Sequence, residues 1–250
     1  MDFELSTEQQ LIRENIIRFA RKELNADVRQ RDRDQEFPKQ LWERCGEQKL
    51  QGLCISEEHN GAGMNAVSTI IALEALGYGC HDNGLSFSIC AHLLSCVVPV
   101  WKYGTAEQKK QFLPELCNGK RIAVNAMTEP SSGSDVFNMK TTAKKTAGGY
   151  IINGTKTFSS NGPVADTILL YALTDESKGF FGGITAFLID KNTAGFSVGE
   201  KYEKMGLRTC SISELLFNDM FVNENSALGG VGGGSTVFNY SMEWERTGMA

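Results

Sequence analysis

The chain has 250 residues, 41% of them hydrophobic, and a formal net charge of −5 from 25 Lys and Arg against 30 Asp and Glu. A chain of this length and hydrophobic content can bury a core and form more than one domain. The acidic balance argues against a nucleic-acid-binding protein, which typically carries a basic patch.

The seven cysteines are scattered, and the sequence contains no CxxC pair. Several lie in apolar runs, which indicates buried free thiols in a reducing compartment rather than disulfides or a metal site. The first ten residues, MDFELSTEQQ, are acidic and polar, unlike a signal peptide. The longest apolar stretch, 89–101, is too short and too interrupted to span a bilayer. We therefore expect a soluble cytoplasmic protein with no metal and no membrane span.

Residues 1–118 are predicted to form an all-α domain of five helices. Ser6 and Gln9 make a capping box for the first helix, and Pro38 lies near the first turn of the second. The third, NAVSTIIALEALGYG, ends in glycines, and the fourth, GLSFSICAHLLSCVVPVWKYG, is apolar nearly all round and so is expected to be buried. Thr105 caps the fifth, which ends at Gly119.

Residues 119–231 change to short β-branched segments separated by Gly, Asn and Asp. The stretch AGGYIINGTKTF predicts two strands joined by a hairpin turn at Asn153-Gly154. We expect an antiparallel middle domain, like a β-barrel or sandwich. The fold class is therefore α+β, with a helical N-terminal domain and a β middle domain.

Residues 232–250 are predicted to start a third, helical domain. Glycines 229, 230 and 232–234 precede the helix, but no P-loop lysine follows and no βαβ unit surrounds them, so a hinge is the expected role. Ser235 is the expected cap. The helix shows no stop signal before Ala250, so we expect a truncated C-terminal bundle, or one whose remainder a partner supplies.

Three polar stretches are candidates for chemistry. TEPSSGSD (128–135) offers hydroxyls and a glycine after a strand, although a surface turn has the same composition. KTFSSNGP (156–163) alternates Phe158 and Ser160 on one face of a strand, which also fits a strand with one core Phe. MEWERTG (242–248) places glutamates on a helix, as a general base or as a solvated face.

These stretches, in this order, resemble the acyl-CoA dehydrogenase family of flavoproteins over essentially the whole chain. YIINGTKTFSSNG, MGLRTCSISELLFNDMFVNENSALG and the glycine loop belong to the same resemblance. GYGCHDNGLSF, NAMTEP and SMEWER are most similar to a subgroup that oxidises acyl or aminoacyl groups, prolyl among them, held on carrier proteins.

The resemblance implies FAD as cofactor. The strand-end residues would meet the isoalloxazine edge, and the glycine and serine of GSD would meet the pyrophosphate. The aromatic residue would lie against the ring and the serine two positions later would bond near flavin N5, where many relatives have Trp and Thr. The implied cofactor-binding residues are Met127, Thr128, Gly133, Ser134, Phe158, Ser159 and Ser160.

The resemblance also implies an α-proton base. Most relatives carry it in the C-terminal helical domain, but a minority place it on the helix after the glycine loop, directly before an Arg. Glu245 before Arg246 fits the minority pattern. Glu243, Arg246 and Ser134 are then expected near the pantetheine arm. Glu245 would remove the α-proton of a thioester while a hydride leaves the β-carbon for flavin N5.

Two other functions remain open from the sequence. A non-catalytic binding module could share the fold, and so could a flavin oxidase or monooxygenase. The thioester could be held by coenzyme A or by a carrier protein. We expect weak flavin binding by this chain alone, and a homo-oligomer when the C-terminal bundle is present.

Overall fold

The structure, a computed structural model, describes residues 4–249 apart from the side chain of Phe137. The N-terminal part is helical and the middle part is one sheet. The helices are α1 Thr7–Glu23, α2 Val28–Asp34, α3 Lys39–Glu47, α4 Ala66–Gly79, α5 Asn83–His92, α6 Val98–Tyr103, α7 Ala106–Cys117, the short α8 Phe180–Gly183 and α9 Gly234–Gly248. The strands are β1 Ala123–Ala126, β2 Thr142–Thr146, β3 Gly149–Ser160, β4 Thr167–Leu173, β5 Ile184–Asp190, β6 Phe196–Lys201, β7 Ile212–Asn223 and β8 Ala227–Leu228.

The capping box predicted at Ser6 and the cap predicted at Thr105 are both confirmed. Ser6 Oγ accepts the Gln9 amide N–H at 3.2 Å, and Gln9 Oε1 accepts the Ser6 N–H at 3.0 Å. Thr105 and Gln108 make the same reciprocal pair at the start of α7. A cap of this kind contributes about 1 kcal/mol. The short helix α2 was not predicted, because its sequence VRQRDRD has no apolar periodicity.

The predicted fourth helix is the core of the helical part. It runs from Asn83 to Tyr103 as α5 and α6 with a π-helical segment, Leu93–Val97, between them. Its 21 residues and mean hydropathy of 1.6 would suffice to cross a bilayer, but 89% of its most apolar window is buried inside the fold. The helix is longer than the predicted apolar stretch, 89–101. Because most of it is buried, it packs as a core helix.

The sheet has the order β6-β7-β3-β2-β4-β5-β8, with β1 added beside β4. The α+β class is confirmed, but the expectation of a purely antiparallel sheet is wrong in two pairings. β1 runs parallel to β4 over four residue pairs, and β2 meets β4 in parallel at one. A parallel pair requires a long connection, which residues 127–166 supply between β1 and β4. The predicted boundaries 118/119 and 231/232 fall in the loops that flank this sheet region.

The predicted hairpin turn at Asn153-Gly154 is wrong. β3 continues through both residues, and the turn lies at Ala147-Gly148, where Gly148 has a φ of +74°. Asn153 Nδ2 donates to Asp219 Oδ1 at 2.9 Å, and the Asp219 amide N–H donates to Asn153 Oδ1 at 2.8 Å. Asn153-Gly154 thus forms a bulge against β7, for which the same residue types are suited.

The predicted cap of the last helix is also wrong. α9 begins at Gly234 with Gly233 as its N-cap, and Ser235 is buried in the first turn. The Gly232 amide N–H donates to Thr185 Oγ1 at 2.9 Å, so the glycine loop is held against β5. The predicted continuation of the helix at Ala250 lies outside the described residues.

A buried histidine joins the helical part to the sheet. His92, fully buried at the end of α5, donates from Nε2 to the Leu116 carbonyl at 3.0 Å and accepts the Ala123 amide N–H on Nδ1 at 2.9 Å. These two bonds require the neutral ring. Burial lowers the pKa of His92 from its ordinary 6.5 to about 4.

A buried aspartate makes a second connection. Asp82 Oδ2 accepts Arg31 Nη2 at 3.1 Å, and Oδ1 accepts the Leu85 amide N–H at 3.1 Å and the Thr209 hydroxyl. Two helices, α2 and α5, and the loop before β7 therefore meet at one carboxylate.

We expect His92 to make the protein sensitive to acid. Because the folded state holds the ring neutral, the unfolded state binds the extra proton, and the free energy of unfolding falls as pH drops from 6.5 towards 4. The slope is about 1.4 kcal/mol per pH unit for one group. Urea unfolding across this range, compared between the wild type and H92Q, measures it. Equal slopes in the two proteins would contradict the assignment.

Candidate active site

A cleft of about 530 Å³ lies where the end of β1, the end of β3, α5 with the π segment, and α9 meet. It collects most of the residues that the sequence proposed for the site. The predicted residues that line it are Met127, Thr128, Gly133, Ser134, Phe158, Ser160, Glu245 and Arg246. Ser159 and Glu243 do not line it in the described part of the chain.

A buried ion pair brings the two polar stretches together. Lys156 Nζ, on β3, donates to Glu129 Oε1 and to the Met127 carbonyl, both at 2.9 Å. Both side chains are almost completely inaccessible to solvent. The Thr157 amide N–H also donates to the Thr128 carbonyl at 2.8 Å. The end of β1 is therefore attached to the end of β3.

The Glu129 carboxylate receives further bonds from the start of β2. Its Oε2 accepts the Lys140 amide N–H at 2.6 Å, and its Oε1 accepts the Thr141 amide N–H at 2.8 Å. Burial alone would raise the pKa of Glu129, but Lys156 and these amides outweigh burial and lower it. Burial lowers the pKa of Lys156 to about 8, against the opposing attraction of Glu129. The pair is ionised at neutral pH, and it closes the loop 130–139 at its base.

Phe158 and Ser160 both line the cleft, but not through regular strand alternation. Phe158 has a φ of +52° and lies where the β3–β7 register shifts between Lys156 and Ser159. Its ring is 67% exposed, with its centroid 5.2 Å from that of Tyr202. The irregular backbone turns the aromatic ring out of the sheet and into the cleft.

Ser159 points into the protein instead. It is only 2% exposed and lies opposite Ser213 of β7. Its Oγ has no hydrogen-bond partner within residues 4–249. The structure therefore separates it from the other predicted cofactor residues.

The two glutamates of α9 lie on different faces of the helix. Residues two apart are about 200° apart around an α-helix. Glu245 lines the cleft, whereas Glu243 lies beside Ala66, Ile70 and Trp244. Arg246 follows Glu245 at the same cleft and is exposed.

Glu245 has the electrostatic properties of a general base. Burial raises its pKa to about 7, with Asn125 and Arg246 acting in the opposite direction. Its Oε1 is inaccessible to solvent and accepts no hydrogen bond from any described residue. A carboxylate that has lost much of its hydration is a stronger proton acceptor than an exposed one.

Sequence reasoning missed three contributions to the cleft. Asn125, in the middle of β1, is an amide in a strand of small apolar residues, and that contrast was the available signal. Ser95 lines the cleft from the π-helical segment, which the sequence pattern does not predict. Phe181 and Phe238 form an aromatic wall from two elements far apart in the chain.

The cleft fits a large planar ligand. Ligand pockets typically enclose about 300–1,000 Å³ and combine apolar walls with a few polar groups. The exposed Phe158 ring offers an apolar face, and Thr128 and Ser160 offer hydroxyls beside it. A Cβ at Gly133 would meet only Thr128 Cγ2, at 3.9 Å, so the backbone there is open to a ligand. Within residues 4–249 no group of three or more His, Cys, Asp or Glu is placed to hold a metal ion.

Comparison with known proteins decides the family. The model of the acyl-CoA dehydrogenase N-terminal domain matches residues 6–120, and that of the acyl-CoA dehydrogenase middle domain matches residues 125–220. The chain belongs to the acyl-CoA dehydrogenase family. The cleft lies between the two matched domains and α9.

Relatives of this acyl-CoA dehydrogenase family member include proteins that act on prolyl groups. An L-prolyl-[peptidyl-carrier protein] dehydrogenase of Serratia sp. is 42% identical over 246 residues, which are 98% of this chain and 64% of the relative. The structure of PigA with FAD and proline matches with a TM-score of 0.96 at 41% identity, covering 100% of this chain and 65% of that one. The prolyl acyl carrier protein oxidase AnaB matches with a TM-score of 0.94 at 40% identity, covering 97% and 64%. The chain spans slightly less than two thirds of the length of these relatives.

Removing one partner of the buried pair should destabilise the fold strongly. Glu129→Ala leaves the Lys156 ammonium buried without its counterion, which costs about 3–5 kcal/mol. Chemical denaturation measures the loss. Glu224→Ala is the matched control, because it breaks the exposed Lys145–Glu224 pair (2.8 Å) and should leave the midpoint almost unchanged. If the two substitutions lowered the free energy of unfolding equally, the buried pair would contribute no more to stability than the exposed pair does.

Proposed function

We propose that this protein is an FAD-dependent dehydrogenase that introduces a double bond between Cα and Cβ of an acyl or aminoacyl thioester. The observation that carries the proposal is the position of Glu245: a desolvated carboxylate with a pKa of about 7 lies in one cleft with Thr128, Phe158 and Ser160. Family membership supports the reaction class, and the fit of the cleft supports a flavin.

The chain offers a place for each part of FAD. Met127, Thr128, Phe158 and Ser160 would hold the isoalloxazine ring, and Gly133 with Ser134 would hold the pyrophosphate. When bound, FAD would supply the acceptor for the hydride that leaves the β-carbon. Ser159 is left out of this set, because it faces away from the cleft.

Glu245 would take the α-proton. Its carboxylate must be ionised before the step and becomes neutral after it, and burial favours the neutral product. Phe181, Phe238 and Met242 line the same cleft and would keep water away from the carboxylate. An ionised carboxylate in such surroundings abstracts a weakly acidic proton more readily than one in water.

Arg246 and Ser134 would contact the pantetheine arm of the substrate. Both line the cleft and both are exposed, as residues at its entrance must be. Glu243 is left out of the substrate site because its side chain lies on the other face of α9.

We favour a prolyl thioester on a carrier protein over an acyl-CoA. The support is the activity for which the Serratia relative is named and the carrier-protein substrate in the name of AnaB. We also propose that the protein works in the cytoplasm, in keeping with its free cysteines, and as a homo-oligomer.

A flavin oxidase is the second candidate, because AnaB is named as one. The two differ in how the reduced flavin is reoxidised. Mixing substrate-reduced protein with dissolved oxygen separates them: an oxidase recovers its flavin absorbance rapidly and forms hydrogen peroxide, whereas a dehydrogenase stays reduced until an electron acceptor is added.

Glu245→Gln should abolish flavin reduction. The amide has nearly the same shape but accepts no proton, so the rate should fall by about 10²–10⁴-fold or more while the thioester still binds. FAD and S-prolyl-pantetheine are added to the chain, alone and joined to the remaining third of the Serratia relative, and loss of flavin absorbance is followed.

Glu243→Gln on the same helix is the comparison, and it should reduce flavin at close to the wild-type rate when substrate is saturating. If E245Q were active and E243Q inactive, the base would be Glu243 instead of Glu245. If the wild type bound FAD but no thioester reduced it, a non-catalytic binding module would be favoured.

Flavin reduction should also depend on pH through Glu245. Because the ionised carboxylate is the active form and its pKa is about 7, kcat/KM for prolyl-pantetheine should rise with pH and level off above about pH 7. Stopped-flow measurement between pH 5.5 and 9 gives the profile. A rate that falls with rising pH would be inconsistent with a carboxylate base.

A further inference from the structure

Two residues that line the same cleft each carry a buried oxygen atom without a hydrogen-bond partner in the part of the chain that the structure describes. Asn125 Oδ1, from β1, and Glu245 Oε1, from α9, are both inaccessible to solvent, and neither accepts a hydrogen bond from any described residue. An unsatisfied buried polar atom costs about 1–3 kcal/mol. The Asn125 side chain also lowers the pKa of Glu245 through a hydrogen bond, so the two groups are within reach of each other.

The chemistry of the two groups is complementary. A protonated carboxyl group has a donor to offer to Asn125 Oδ1, and an ionised carboxylate has only acceptors, which the Asn125 NH₂ group can satisfy. A half-turn of the amide about χ2 exchanges its oxygen and nitrogen without changing its shape. The amide can therefore satisfy either state of the carboxyl group.

We propose that Asn125 is the positioning residue for Glu245: its amide holds the carboxyl group at the cleft and reverses its orientation when the carboxyl group gains or loses a proton. This rests on the proposed function in that it gives Glu245 the role of base. The proposal goes beyond the proposed function because it assigns a role to Asn125, a residue of strand β1 in the middle domain.

The other groups near Glu245 act on it through charge, whereas Asn125 acts through a hydrogen bond. Cys96, from the π segment, and Tyr171, from β4, are the titratable groups that interact with the carboxylate from the elements packed against α9. Burial raises the pKa of both, so both stay neutral around pH 7. Arg246, on the same helix, carries a fixed charge and acts only in one direction.

The remaining charged and titratable groups near α9 face other parts of it. Lys102 of α6 lies over the Tyr240 ring at 5.7 Å, and Tyr103 lies against Tyr240 and senses Glu243. The protonation state of Glu245 is therefore sensed most directly by the Asn125 amide.

The test measures the titration of Glu245 in the chain itself, without FAD and without substrate. The folded pKa of Glu245 is raised, so its contribution to stability is present at low pH and is lost as pH rises from its ordinary 4.5 to about 7. The difference in unfolding free energy between the wild type and E245Q should therefore fall over this range and level off near pH 7. The contribution of His92 cancels, because both proteins contain it.

The same difference is then measured in three Asn125 variants. On balance the Asn125 hydrogen bond lowers the pKa of Glu245. Asn125→Leu removes the amide with little change of shape, so the levelling point should move upward by about one pH unit. Asn125→Asp places a second carboxylate near Glu245 and should move the levelling point to a still higher pH. Asn125→Ser keeps a group that both donates and accepts, and should return it towards pH 7. If the Leu variant does not fold, the shift of the levelling point in the Asp variant still tests the proposal.

Asn239→Leu is the matched control, because Asn239 lines the same cleft from α9, whereas within residues 4–249 the side chains that lower the pKa of Glu245 are Asn125 and Arg246. Its levelling point should stay near pH 7. If Asn125→Leu and Asn125→Asp also leave it there, the proposal is overturned. Since the measurement involves neither flavin nor thioester, that result would not count against the dehydrogenase, and an inactive enzyme would not count against Asn125.

Discussion

The site depends on the buried Lys156–Glu129 pair. β1 and β3 are not neighbours in the sheet, since β1 pairs with β4 and β3 pairs with β2 and β7. Among residues 4–249, no backbone ladder therefore joins the two strands, and a single backbone bond, from the Thr157 amide N–H to the Thr128 carbonyl, links their ends. The ammonium group of Lys156, bonded to Glu129 and to the Met127 carbonyl, reinforces that connection. Because a buried charge is costly unless fully paired, the two chain segments have one favourable relative position.

Local signals predicted the helices well, and non-local contacts explain what was missed. Capping boxes involve residues three apart, so Ser6–Gln9 and Thr105–Gln108 can be recognised directly. The partners Glu129 and Lys156 are separated by 27 positions, and a lysine in a strand normally indicates a solvent-facing position. The Asn153-Gly154 pair shows the limit of composition, because the same dipeptide suits a hairpin turn and a bulge, and the paired strand decides between them.

The candidate site was predictable as a set of segments but not as a set of side-chain directions. The family resemblance indicated three stretches that meet at one cleft, and eight of the ten proposed residues line it. Ser159 is directed inward, away from Phe158 and Ser160, which is the direction that alternation along a strand would also give it. The positive φ of Phe158 is a feature that no periodicity rule anticipates. Asn125 was missed because its neighbours identify the strand as core, whereas its amide faces a helix that lies 120 positions later.

A base that works at neutral pH must satisfy two opposed conditions. It has to be ionised before the reaction, which favours contact with donors and cations, and it has to hold the proton afterwards, which favours burial. In this cleft burial acts alone in raising the pKa of Glu245, and Asn125 and Arg246 limit the rise to about 7. Arg246 favours only the ionised state, and burial favours only the neutral one. A neutral amide can bond to both states, as an acceptor from the protonated carboxyl group and as a donor to the ionised one. This gives the Asn125 amide a role at the carboxylate that neither charge nor burial supplies.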